Sequence, residues 1–203
     1  MARHKEFDEN AVLEQAAERF WSQGYAATSV RDLAKHMGIA CASLYNAYGD
    51  KRTLYRRALD YYNEHSFLER ERRFGQMPPR DAIEGFLNEL VDRSIHDPGR
   101  KGCMLVNSAL EVAPFDPEFR EVVSGLFTRI EAFLHRCVKA GQLDGTIATD
   151  HAPADMARLL LGAVIAIRVL ARTCPEPELL HGLVKPLYAM LASRKSKPAG
   201  ALL

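Results

Sequence analysis

Residues 24–57, GYAATSVRDLAKHMGIACASLYNAYGDKRTLYRR, carry side chains suited to chemistry with a polyanion. Six cations (Arg31, Lys35, Lys51, Arg52, Arg56, Arg57) stand there against two anions (Asp32, Asp50), although the whole chain has a formal net charge of only +1. A charge averaged over a chain hides such patches. Among these cations lie Ser43, Tyr45 and Asn46, whose hydroxyl and amide groups can hydrogen-bond phosphate oxygens or base edges. A second chemistry centres on Cys103, which follows Gly-Arg-Lys-Gly and opens a short helical stretch. Arg100, Lys101 and the unpaired N–H groups of a helix start all favour a thiolate, the form that reacts with oxidants and electrophiles. The competing reading of Cys103 is a small residue packed at a helix start.

Other chemistries are excluded by what the spacing lacks. There is no HExxH, no paired Cys/His pattern, no GxSxG elbow and no Gly-rich phosphate loop, so no metal, cofactor or catalytic residue is expected. Cys41, Cys103, Cys137 and Cys174 show no CxxC pairing and read as free thiols, with Cys137 and Cys174 expected as buried fillers. An enzyme built on a helical bundle would have to use Cys103 with His96, and no third group orients that pair. The charged N-terminus and the short apolar run at 159–167 predict a cytoplasmic chain without a membrane span.

The elements that must position these groups read as helices throughout, an all-α fold. Leu13, Ala16, Ala17, Phe20 and Trp21 recur at helical spacing and Gly24 supplies a stop. Thr28 has the side chain of an N-cap ahead of Val30, Leu33, Ala34 and Met37, and Gly38 then fits a turn tolerant of unusual backbone angles. A second short helix carries Leu44 and Tyr48 inward and leaves Ser43, Tyr45 and Asn46 free. Two short helices joined by a tight turn can set the second into a DNA major groove. A long helix starts near Lys51 and runs past residue 70. The break FGQMPPR, a helix to about residue 96, a short one at 103–112 and a long one capped by Asp116 follow. The turn GQLDGTIATD precedes two last helices at about 152–173 and 177–193, and the tail from residue 193 reads as frayed. The expected domains are residues 1–50 for the helix-turn-helix and 51–203 for a ligand-binding and dimerisation bundle.

The run FWSQGYAATSVRDLAKHMGIACASLYNAYGDKRTLYRRAL resembles the TetR family of bacterial transcription regulators. The order that carries the resemblance is an aromatic, Gly-Tyr, Thr-Ser-Val, Asp-Leu-Ala, a Met-Gly-Ile turn, Ser-Leu-Tyr and Tyr-Gly-Asp-Lys, over about the first 60 residues. GCMLVNSALEVAPFDPEF is similar to a stretch found in many members. The resemblance implies that Tyr45 and Lys51 contact phosphate and that Thr28 caps a helix whose N-terminus meets the DNA backbone. It also implies that Cys41, Ala42, Ser43 and Asn46 face the groove. Ala40 departs from a common capping Ser or Thr, and Cys41 from a common Lys or Pro. The implied mechanism is repression of a palindromic double-stranded operator by a homodimer, relieved by a small-molecule effector.

The rest of the chain fits those partners. Residues 156–171 and 179–191 are apolar on nearly every side, so one stripe can face the chain's own bundle while another leaves water against a second copy. Leu160, Val164, Ile167, Leu183 and Leu187 are the expected interface residues. The middle helices carry more aromatics than a small bundle needs, and Tyr62, Phe86, Cys103, Asn107 and Phe127 are the expected ligand contacts.

Overall fold

The computed structural model describes residues 8–193, and over these the chain is helical. Helix α1 (Glu9–Gln23) is capped by Asp8 and stopped by Gly24, whose φ of 85° suits glycine. Helices α2 (Val30–Met37) and α3 (Cys41–Tyr48) meet across Gly38, in the left-handed region at φ 67°. Helix α4 (Lys51–Asn63) passes through a π-helical turn (Glu64–Leu68) into α5 (Glu69–Phe74), one continuous rod with a local bulge. Then come α6 (Pro79–Ile95), α7 (Met104–Glu111), α8 (Pro117–Leu143), α9 (Pro153–Thr173) and α10 (Pro177–Leu191). An isolated bridge between Ile147 and Ala192 is the only β-type pairing among the described residues.

Two apolar cores organise these helices. One joins Phe20, Leu33, Leu44 and Tyr48 to Leu54, Tyr55 and Leu59 of α4, with Met104, Val112 and Phe119 closing its far side. It reaches into α4, beyond the boundary expected at residue 50. The other gathers Phe67, Phe86, Phe133 and Leu134 with the inner faces of α9 and α10. The rod from residue 51 to 74 contributes to both.

Several expectations need correcting. Thr28 is not the cap of α2. Its side chain is 1% exposed and its hydroxyl donates to the Gly24 carbonyl at 2.7 Å, closing the turn behind α1. Ser29 is the cap, in a reciprocal capping box with Asp32. Leu160 and Ile167 are 0% exposed within this one chain, and Val164 and Leu187 are buried with them. They form the inward stripe and cannot meet a second copy. Helical spacing gave the two stripes but not which one faces in. The outward stripe holds Leu159 at 45%, Val169 at 39% and Leu179 at 40% exposure, with half-buried Leu183 beside Leu179. Cys174 is exposed at the end of α9, whereas Cys137 is buried and its thiol is pushed up to about 11 by desolvation. The tail beyond Ser193 lies outside the described residues.

Ala40 precedes α3 without any side-chain cap. Ala40→Ser should restore one and raise stability by about 1 kcal/mol, read as a higher urea midpoint at unchanged slope.

Candidate nucleic-acid interface

The second helix of the pair, α3, presents Ala42, Tyr45 and Asn46 to solvent, with Cys41 and Ser43 half-buried beside them. Leu44 and Tyr48 are buried against the head's core, which fixes the rotation of the helix. Tyr45 is 52% exposed, so its ring and hydroxyl are open to a partner. Arg31 and Lys35 lie exposed on α2, and Arg57 on α4 pairs with Glu9. Lys51 is drawn toward the turn after α1. Its ammonium lies 4.3 Å from the Tyr25 ring centroid and 3.5 Å from the Ala26 carbonyl. Desolvation there lowers its pKa, opposed by the nearby Glu111 carboxylate.

Among the polar contacts that tie the reading head to the bundle, those made by Glu111, Tyr55 and Arg52 lie nearest the turn ahead of α2 and the start of α4. Glu111, the last residue of α7, accepts from the backbone N–H groups of Tyr25 at 3.0 Å and Ala26 at 2.7 Å. A Cβ at Gly24 would sit 3.0 Å from a Glu111 oxygen, so glycine there serves both the turn and this approach. Buried Ser108 donates to the Met104 carbonyl at 2.7 Å, which leaves Tyr55 to donate to Ser108, also at 2.7 Å. Arg52 makes a fork to Asp116, at 2.6 and 3.0 Å, and reaches Glu118 at 2.6 Å, which holds the Asp116 carboxyl below its usual range. The spacing of the sequence does not reveal these contacts of Glu111 and Arg52, because their partners are 64 to 86 residues away.

Behind the head lies a cavity of about 710 Å³, lined from α1, His36 of α2, the rod from Tyr61 to Arg70, α6 with the loop before α7, and α9. Of the five expected ligand contacts only Tyr62 lines it. Its ring stands 5.0 Å from Trp21, and its hydroxyl donates to the Cys103 sulfur at 3.6 Å. Burial raises the Tyr62 pKa most, the Cys103 charge adds to this, and Arg168 and Arg70 oppose it. Asn107 is buried and donates to the Lys101 carbonyl, shaping the loop rather than the cavity. Phe86 is locked in the bundle core with edge contacts to Phe67, Phe74 and Phe133, and Phe127 packs on that core half-buried. Lys101 is bound to Glu18 at 3.1 Å over the Trp21 ring, so its charge is already matched. Among the cavity residues that were not expected as ligand contacts are Trp21, Ser94 and Arg168. Arg168 continues the buried positions Leu160, Val164 and Ala171 at helical spacing, the one signal that places a charge on an inward face.

The chain matches the family model for bacterial regulatory proteins of the tetR family over residues 12–58, and the tetracyclin repressor-like C-terminal domain over 79–185. It is 35% identical over 189 residues to the uncharacterized HTH-type transcriptional regulator YezE of Bacillus subtilis (strain 168), covering 89% of this chain and 94% of that one. The chain belongs to the TetR family. As a TetR-family protein it is a DNA-binding transcriptional regulator. The HTH-type transcriptional repressor ComR of Escherichia coli (strain K12) is 24% identical over 147 residues, or 71% of this chain and 70% of ComR. Among solved structures, a cysteine mutant of the TetR family regulator CifR complexed with 26bp double-strand operator DNA superposes with a TM-score of 0.82 at 26% identity, covering 94% of this chain and 100% of that one. No helix among this regulator's described residues is long and apolar enough to cross a membrane.

Removing the Glu111 carboxylate leaves two turn N–H groups without their acceptor. Glu111→Ala should speed hydrogen exchange at Tyr25 and Ala26 and lower stability by about 1–3 kcal/mol, while exchange at the bundle core of α6 and α8 keeps its order of protection.

Proposed function

We propose that the protein is a homodimeric repressor that reads a near-palindromic operator through α3 and is released when a small molecule fills the cavity behind the reading head. The observation that carries this reading is the position of the cavity. Its wall includes α1 and α4 of the head as well as α6 and α9 of the bundle. Lys101 and Gly102 in that wall directly precede α7, whose other end carries Glu111. Gly102 lies so close to α9 that a Cβ would come within 2.8 Å of the Arg168 carbonyl. A ligand that spreads α9 from this loop shifts α7 as a rod, and Glu111 passes the shift to the turn ahead of α2. Such a ligand need only bind the DNA-incompetent arrangement better than the other. The regulator reading stands against an enzyme: the His96 ring is turned to the Asp92 carbonyl, and the hydrogen-bond partner of Cys103 is Tyr62.

Tyr45 and Lys51 are the proposed phosphate contacts, with Ala42, Ser43, Asn46 and Cys41 toward the bases. The outward apolar stripe of α9 and α10 is the proposed seat of the second copy, since an exposed patch of this kind favours association. A dimer with heads about one helical turn apart, roughly 34–36 Å, matches a palindrome of two half-sites.

A second reading, covalent sensing through Cys103, is favoured by one contact. The Tyr62 hydroxyl that meets the Cys103 sulfur belongs to a cavity-lining residue. It requires DNA release by N-ethylmaleimide in wild type and none in Cys103→Ser. Release in both removes it.

On an operator selected from random duplexes, Tyr45→Phe should weaken binding to all sequences alike. Lys51→Ala should also reduce the slope of log affinity against log salt by about 1. Unchanged affinity in both folded variants defeats the assignment of α3 as the reading helix.

The two stripes give opposite outcomes in a sedimentation experiment. Leu159→Glu should yield folded monomers. Leu160→Glu should lose helicity, because it places a charge in the chain's own core.

A further inference from the structure

The cavity behind the reading head contains a charge that the described residues leave without a counterion. Arg168 is 9% exposed, and among the described residues its guanidinium makes one hydrogen bond, from Nη1 to the Ser94 hydroxyl at 3.3 Å. That hydroxyl donates to the Leu90 carbonyl at 2.7 Å, so it meets Arg168 as a neutral acceptor. The other buried guanidinium, Arg70, is treated differently: its Nε lies 2.8 Å from the Glu89 carboxylate. Arg168 forms no ion pair among the described residues, yet arginine cannot shed its proton to escape burial. A buried charge without a counterion is costly, and its free N–H groups line a cavity large enough for a small molecule.

We propose that this cavity binds an amphipathic monocarboxylate, with its carboxylate on the free N–H groups of Arg168 and its apolar body against Trp21, Tyr61 and Tyr62. The fork of a guanidinium matches a carboxylate in a charge-assisted, two-bond geometry. The three rings supply the apolar wall. Glu14, Glu18, Asp92 and Asp97 line the same cavity, as do Arg70, Arg93 and Lys101; Arg70 and Arg93 are paired with Glu89 and Lys101 with Glu18, which leaves Arg168 as the lining guanidinium without a carboxylate. One unpaired guanidinium matches one negative charge, so the second charge of a phosphate monoester would face the cavity's carboxylates without a partner. The regulatory meaning of the site rests on the reading of this cavity as the effector pocket; the binding itself does not.

The test uses the full chain without DNA. Three probes share a phenyl body: 4-phenylbutyrate, its neutral primary amide and phenyl phosphate. The chain has a single tryptophan, and it lines the cavity, so Trp21 fluorescence reports occupancy in unaltered protein. Calorimetry supplies the affinities. The carboxylate should give a saturable change and bind at least about tenfold more tightly than the amide, the scale of a charge-assisted pair. Arg168→Gln should abolish that preference, and Arg168→Lys should keep part of it. The wild-type comparison stands by itself if Arg168→Gln fails to fold. Equal affinity for acid and amide, tighter binding of phenyl phosphate, or no saturable response to the acid overturns the proposal. A carboxylate that binds through Arg168 but leaves the operator complex intact in a gel shift supports the site and removes the effector reading.

Discussion

One rod has to satisfy two cores at once. The helix that begins at Lys51 buries Leu54, Tyr55 and Leu59 in the reading head, and its continuation buries Phe67 and Phe74 in the bundle. An α-helix advances about 100° per residue, so the two buried stripes stay in register with two differently placed cores only if the phase is adjusted between them. The π-helical turn at Glu64–Leu68 makes that adjustment, adding a residue to the turn where the rod passes from one core to the other. The position of the head relative to the bundle, and the cavity between them, follow from this junction.

The polar contacts across the junction have a common character. Each uses a group whose local partner is missing. The N–H groups of Tyr25 and Ala26 lie beyond the end of α1, so a carboxylate from α7 serves them. Asp116 caps α8 and, with its remaining capacity, holds Arg52 of α4. Tyr55 is buried too deeply for water and uses Ser108. Such contacts have two discrete states, made or broken, as the proposed passage of a change through this junction requires.

Most of the element order was legible in the sequence. Gly24, Gly38, Asp116 and the proline at residue 79 punctuate strong apolar periodicity, and each stands where its helix starts or stops. The reading helix was legible for the same reason, since Leu44 and Tyr48 allow only one rotation. What the sequence concealed were choices between equivalent local options. Thr28 and Ser29 both have a capping side chain, and only the buried turn behind α1 decides that Thr28 serves the Gly24 carbonyl. The last two helices have apolar stripes all round, so nothing local distinguishes Leu159 from Leu160. The cavity was least legible of all. Its lining comes from five segments remote in sequence, and aromatics such as Phe86 carry no mark that separates core from cavity.

The missing cap at Ala40 has a thermodynamic consequence for recognition. A helix whose first turn lacks a side-chain acceptor is held less firmly at its start, so any ordering of α3 left incomplete by folding is a cost that falls on the complex with DNA. That cost is the same for every sequence the helix meets. It lowers all affinities together and leaves their ratios untouched, so the head exchanges more rapidly among sites without becoming less discriminating.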